Sequence, residues 1–193
     1  MKKNGVKEYL APALTLIIIC FVVTAALVAT FEVTKPIIAD LSKKNADIAR
    51  AEVLPSGSDG FTDVLTDLMK KDPASIEEGI EEVYKANNDS GFVVTSTDKG
   101  FGGKITVMVG IDSQGKMTGV KVTAHTETPG LGTKAMTPEF LKQYVGQEKI
   151  SNTESSEGTK INAITGATVT SNAVFRAVDK ALAQYECLGG AIS

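Results

Sequence analysis

A short run of small and hydroxylated residues near the C-terminus could do the most chemistry in this chain. It reads Thr-Gly-Ala-Thr-Val-Thr over residues 165–170. Gly166 accepts a positive φ without penalty, and Ala167 adds little bulk beside the next side chain. A large reagent can therefore reach the hydroxyl of Thr168.

The residues after this run have the spacing of an amphipathic helix. From Ser171 onward the apolar residues recur every three or four positions, which predicts a helix over residues 171–185. The first N–H groups of a helix lack partners and its dipole favours an anion, so the hydroxyl cluster lies at a natural phosphate site. A hydroxyl in this position is also a common helix cap, and that alternative predicts no ligand. The cluster consists of Thr165, Thr168, Thr170 and Ser171.

A second glycine-rich string, Glu-Thr-Pro-Gly-Leu-Gly, occupies residues 127–132, directly after a predicted hairpin. On its own, Thr-Pro-Gly is turn chemistry. Together, the two strings resemble the signatures of the FMN-binding domain family, whose flavinylation motif is Ser/Thr-Gly-Ala-Thr and whose E-T-P-G-x-G loop lies beside the isoalloxazine ring. The resemblance implies an FMN held by a phosphoester on Thr168.

The remaining site residues follow from the same resemblance. Around Thr168, the residues expected to bind the FMN phosphate are Thr165, Gly166, Ala167, Thr170 and Ser171. The residues expected to lie beside the isoalloxazine ring are Glu127, Thr128, Pro129, Gly130, Leu131 and Gly132. Glycines let backbone N–H groups approach a planar ring, where such donors tune the flavin potential.

The sequence assigns no catalytic residue and no metal site. No Ser-His-Asp or Cys-His arrangement is visible that would activate Thr168, so a separate flavin transferase similar to ApbE and using FAD is implied. One histidine and two distant cysteines, Cys20 and Cys187, give neither a metal-ligand cluster nor an expected disulfide. A net charge of −3 without a basic run excludes nucleic-acid binding.

An uncharged run over residues 9–31 predicts a single transmembrane helix, because about 20 apolar residues cross the hydrocarbon. A cleaved signal peptide is the alternative, since the small residues at 25–29 imitate a cleavage site. Before this run the chain carries three lysines, Lys2, Lys3 and Lys7. They predict a cytoplasmic N-terminus and an extracytoplasmic domain at the cell (inner) membrane.

The chain is expected to divide into a tail and transmembrane helix over 1–35, a membrane-proximal helical connector over 36–80, and an FMN-binding domain over 81–193. In the last part, β-branched runs separated by glycine turns predict a small antiparallel sheet. With the helix over 171–185, these strands indicate an α+β domain with helices packed on the sheet.

Over nearly its whole length the chain resembles the RnfG subunits of Rnf electron-transport complexes, with the longer NqrC subunit of the sodium-pumping NADH:quinone reductase as the alternative. The resemblance implies an electron carrier between membrane subunits, coupled to Na⁺ or H⁺ movement, with ferredoxin and NAD⁺ as the overall couple in Rnf. Implied partners are a second flavin-bearing subunit, iron–sulfur subunits and the flavin transferase.

Two other classes of function stay open. The chain would be a membrane-anchored binding domain if the Thr-Gly-Ala-Thr turn is only a helix cap. It would be a stand-alone extracytoplasmic flavoprotein if it reduces a small acceptor without membrane partners.

Overall fold

The computed structural model describes residues 5–57, 59–152 and 158–189, in two compact units that divide between Ala46 and Asp47. Helix α1 (Gly5–Val53) supplies the first unit and adds residues 47–53 to the second. From Pro12 onward α1 is long and apolar enough to cross a membrane, the one such helix among the described residues. Lys2 and Lys3, from which an orientation is predicted, lie outside the described residues.

The second unit is built on a five-stranded antiparallel sheet in which each strand pairs with the next along the chain. The β3–β4 pairing runs without a break from Gly91↔Asp112 to Lys99↔Lys104, and a glycine-rich turn joins the two strands. The strands are β1 (Phe61–Asp63), β2 (Ile80–Ala86), β3 (Gly91–Lys99), β4 (Lys104–Asp112) and β5 (Met117–Ala124).

Short elements and one long helix complete the unit. The long helix, α4, carries the predicted attachment residue at its first position. The helices are α2 (Leu65–Lys71), α3 (Pro138–Leu141) and α4 (Thr168–Cys187), with 3₁₀ turns at Pro73–Ser75, Gly132–Met136 and Lys142–Tyr144, and a parallel pair β6 (Ile150–Ser151) and β7 (Thr159–Lys160).

Helix α4 packs on one face of the sheet because its small and β-branched residues form a continuous apolar stripe. Ala173, Ala177 and Ala181 are fully buried and let the helix lie close to the central strands. Ser96 of β3 donates a hydrogen bond of 2.6 Å to the Ala177 carbonyl, which fixes the helix along its axis. The start of α4 is therefore held in a defined place at the edge of a rigid core.

The opposite face of the sheet is covered by the end of α1. The Val53 carbonyl accepts a hydrogen bond of 2.5 Å from Thr118, and Val53 itself is buried. A Cβ at Gly110 would overlap that carbonyl oxygen, and one at Gly119 would lie 2.8 Å from it. The sequence needs glycines at both positions because the helix end lies directly on the sheet.

The predicted α+β arrangement of an antiparallel sheet with packed helices is confirmed. The sequence places residues 36–80 in a connector outside the domain, whereas in the structure the compact unit begins at Asp47. The reason is that Leu54 and Leu65 bury their side chains in the domain, and β1 pairs with β2. These contacts are long-range and leave no local signal.

An ion-pair cluster joins the end of β3 to α4. Arg176 Nε lies 2.9 Å and Lys180 Nζ 3.4 Å from Asp98 Oδ2. Burial raises the pKa of Asp98, but the hydrogen bonds from Arg176 and from the Lys99 N–H, together with the charges of Arg176 and Lys180, outweigh it and hold the pKa below its ordinary value.

Replacing this carboxylate should lower stability only where it is ionised. Because the folded-state pKa of Asp98 is depressed, its contribution is present above the unfolded-state value of 3.8 and is lost as the pH falls through the lower folded-state value. We expect Asp98→Asn to lower the free energy of unfolding by about 0.5 kcal/mol at neutral pH, a small value because Arg176 is half-exposed. The free energy of unfolding of Asp98→Asn and of the parent protein is measured by urea unfolding, at neutral pH and at a pH below the folded-state pKa of Asp98. An equal difference at the two pH values would contradict it.

Candidate functional site

The Thr-Gly-Ala-Thr turn, where the sequence predicts attachment, leads directly into α4. Gly166 adopts a φ of +84°, and a Cβ built there would meet no atom of the described residues within 4 Å. The turn closes with a 2.9 Å hydrogen bond from the Ala167 N–H to the Ile164 carbonyl. Ala167 then occupies the N-cap position, and α4 begins at Thr168. The helix therefore starts three residues earlier than the apolar periodicity indicates.

The hydroxyls of this turn have different surroundings. Thr170 and Ser171 are each only 2% exposed. Thr170 donates a hydrogen bond to Glu127, and Ser171 accepts one of 3.1 Å from the Ile164 N–H. Thr168 is exposed, and its hydroxyl makes no hydrogen bond within the described residues. Thr168 is thus the hydroxyl in the first turn of α4 that a reagent can reach.

The Glu-Thr-Pro-Gly-Leu-Gly loop forms a compact turn beside the start of α4. Gly130 has a φ of +77°, and its N–H donates to Thr133 Oγ1 at 2.9 Å. Thr128 and Leu131 lie on the exposed side, with Leu131 47% exposed. Glu127 and Gly132 are buried. The loop therefore exposes one polar and one apolar side chain, those of Thr128 and Leu131, and buries the Glu127 carboxylate.

An open cleft of about 280 Å³ lies between the loop and the first turn of α4. Eight of the predicted site residues line it. They are Glu127, Thr128, Leu131, Gly132, Gly166, Ala167, Thr168 and Thr170. The other four do not line it, namely Pro129, Gly130, Thr165 and Ser171.

Two apolar residues that line the cleft were not predicted from the sequence. Phe101 is 74% exposed on the glycine-rich turn between β3 and β4, and Val169 is 53% exposed on α4. An exposed aromatic flanked by Gly100, Gly102 and Gly103 is the signal that would have indicated Phe101, because such a turn has no core-packing reason to carry a large ring.

The cleft fits a planar cofactor that carries a phosphate. A helix N-terminus and the exposed Thr168 hydroxyl favour an anionic phosphate at one side. Phe101, Leu131 and Val169 supply an apolar rim suited to a flat aromatic ring. The cleft volume is near the lower limit for small-molecule sites, so a flavin would remain partly exposed to a redox partner.

Comparison with known proteins identifies a family, several relatives and a solved structure that this chain is similar to. The FMN-binding domain family matches residues 100–183, which include both strings and the Phe101 turn. The G subunit of the Na(+)-translocating ferredoxin:NAD(+) oxidoreductase complex of Acetobacterium woodii is 33% identical, over 91% of this chain and 90% of that protein. The crystal structure of the C subunit of Na(+)-translocating NADH-quinone reductase from Parabacteroides distasonis aligns with a TM-score of 0.45 at 21% identity, over 56% of this chain and 60% of that one.

A further relative is the G subunit of the ion-translocating oxidoreductase complex of Methanosarcina acetivorans, which is 32% identical over 177 residues. The alignment covers 91% of this chain and 94% of the Methanosarcina protein. This chain belongs to the family of ion-translocating oxidoreductase complex G subunits.

Proposed function

We propose that this chain is the electron-carrying G subunit of an Rnf-type ion-translocating oxidoreductase, with FMN attached to Thr168 through a phosphoester. The observation that carries the proposal is the exposed Thr168 hydroxyl at the first position of α4, which faces an apolar cleft and has no hydrogen-bond partner among the described residues. Relatives from Acetobacterium woodii and Clostridium ljungdahlii, named as subunits of ferredoxin:NAD(+) oxidoreductase complexes, support the electron-transfer role.

Each part of the cleft has a role in this proposal. Thr168 Oγ is the acceptor atom, and the N-terminus of α4 stabilises the phosphate charge. Phe101, Leu131 and Val169 line the cleft and would supply an apolar surface for the ring. When bound, FMN supplies one- and two-electron redox chemistry, while the protein provides attachment, orientation and electrostatics.

Loading requires a second protein, since no described side chain hydrogen-bonds to Thr168 as a general base. We propose an ApbE-like transferase that uses FAD. A bond forms between Thr168 Oγ and the FMN-side phosphorus, the anhydride bond of FAD breaks, and AMP and the hydroxyl proton are released. The covalent link keeps the flavin at high effective concentration outside the cytoplasm, where a dissociated cofactor would be diluted.

The test is direct detection of the adduct. The full-length protein, produced together with a flavin transferase, is denatured and examined by in-gel flavin fluorescence and by peptide mass spectrometry. We expect fluorescence that survives denaturation and one FMN on the peptide containing Thr168. A protein that is folded, exposed to the transferase and free of flavin would overturn the proposal and favour a binding domain.

The proposal also requires a cytoplasmic N-terminus and an extracytoplasmic domain. Cys20 and Cys187 are free, so both are first replaced by Ala, and single cysteines are then placed at Lys7 and at Gln114 in the exposed β4–β5 turn. We expect a membrane-impermeant maleimide, applied to intact cells or spheroplasts, to label the Gln114 position and to label position 7 only after lysis. The reverse pattern would contradict the orientation.

A further inference from the structure

Glu127 links three segments that line the cleft. Its side chain is 5% exposed. Glu127 Oε2 accepts a hydrogen bond of 2.8 Å from the Thr170 hydroxyl, and Oε1 accepts one of 2.9 Å from the Gly102 N–H. One carboxylate therefore joins the E-T-P-G loop, the first turn of α4 and the glycine-rich turn that carries Phe101.

The sequence keeps space open around this carboxylate. A Cβ at Gly100 would overlap Glu127 Oε1, and a Cβ at Gly132 would overlap Oε2. Gly100 and Gly132 have no positive φ that would require glycine. At Gly132 the space is filled by the Glu127 side chain, and at Gly100 it is filled by the Glu127 carboxylate together with the Ile105 side chain. Both glycines therefore leave room for the carboxylate.

Within the described part of the chain, no cation balances the charge of this carboxylate. Its hydrogen-bond donors are neutral, and no described lysine, arginine or histidine forms an ion pair with Glu127. His125 contributes an acceptor, since its Nδ1 takes the Glu127 backbone N–H at 3.3 Å. A buried charge without a partner is unfavourable. A neutral glutamine could hold both contacts, but only if Thr170 accepted a hydrogen bond from the amide instead of donating one. The carboxylate therefore accepts both hydrogen bonds, and with them the site retains a buried negative charge.

We propose that Glu127 is a positioning residue whose carboxylate fixes the E-T-P-G loop against the first turn of α4, and whose negative charge lowers the reduction potential of the flavin in the cleft. The inference rests on the proposed function. Reduction adds negative charge to the flavin, and a fixed negative charge nearby in a region of low dielectric opposes that change.

Glu127→Gln separates the two roles. The glutamine Oε1 can accept from the Gly102 N–H while its Nε2 donates to Thr170 Oγ1, so the contacts persist and the charge is removed. Glu139→Gln is the matched control, because Glu139 is an exposed carboxylate on α3 outside the cleft.

Redox titration of the flavinylated full-length proteins in detergent tests the charge. We expect the ratio of reduced to oxidised flavin at a fixed potential to rise about tenfold in Glu127→Gln, equivalent to about 30 mV for a two-electron couple, and to stay unchanged in Glu139→Gln. Equal titrations of Glu127→Gln, Glu139→Gln and the parent protein would overturn the electrostatic role.

Hydrogen-exchange mass spectrometry of flavin-free protein, in a Thr168→Ala background, tests the positioning role independently of FMN. We expect the peptide over residues 100–103 to exchange several-fold faster in Glu127→Ala and at the parent rate in Glu127→Gln. If Glu127→Ala does not fold, Thr170→Val replaces it as the test variant, because it removes one hydrogen-bond donor to Glu127 at nearly constant volume. We expect Thr170→Val to speed exchange over residues 127–132. Parent-like exchange in the folded variants would overturn the positioning role. Absence of flavin from the parent protein would refute the proposed function and leave this comparison valid.

Discussion

Thr168→Ala is expected to abolish covalent FMN completely while the domain stays folded. The change removes the acceptor oxygen, and neither neighbouring hydroxyl can replace it, because Thr170 and Ser171 are buried and hydrogen-bonded. The measurement is in-gel flavin fluorescence after production with the transferase, followed by mass spectrometry of the tryptic peptides.

The same substitution should hardly affect stability. Thr168 is exposed and its hydroxyl makes no hydrogen bond within the described residues, so we expect a change of less than about 0.5 kcal/mol in the free energy of unfolding. Thr168→Ser is the matched control and should retain FMN, since it keeps the hydroxyl. An adduct found on another residue, or one that persists in Thr168→Ala, would refute the assignment of the attachment site.

Gly110→Val is expected to produce the largest loss of stability. The Val53 carbonyl oxygen occupies the space above Gly110, so even a Cβ would overlap it, and backbone cannot move aside as a flexible side chain can. The valine would force the end of α1 off the sheet and break the hydrogen bond from Thr118 to Val53. We expect a loss of about 3 kcal/mol.

Thermal unfolding of the full-length protein in detergent measures this effect, and the expected decrease in Tm is roughly 6–12 °C. Thr106→Val is the control, because it places the same side chain at a half-buried position of the same strand and should change stability by less than about 0.5 kcal/mol. A Tm for Gly110→Val equal to that of the control would show that residues 47–53 do not pack on the sheet as described.

Much of the fold follows from short-range patterns. The β-branched runs between glycine turns predict strands that correspond to β3, β4 and β5, and the apolar stripe after Ser171 predicts α4. Such patterns are local, because the period of a strand or helix is set by backbone geometry within a few residues. The family follows from two short strings, and the relatives confirm it. The assignment of individual residues to the FMN site remains a prediction.

Long-range packing decided the rest. The hydroxyls of Thr168, Thr170 and Ser171 are close together in sequence, yet only contacts with Glu127 and Ile164 make two of them internal and leave one exposed. The inward direction of the Glu127 side chain depends in the same way on glycines far from it along the chain. Phe101 joins the cleft only because the β3–β4 turn folds back towards α4.

The sequence by itself therefore determined the types of element, the candidate attachment residue and the family, since each is written in neighbouring residues. The tertiary structure alone decided which side chains are buried, that the compact unit begins at Asp47, and which loops line one cleft. Burial and pairing depend on residues that are far apart along the chain. The bonds from Gly102 to Glu127 and from Ser96 to Ala177 join residues 25 and 81 positions apart, and no local pattern specifies such partners.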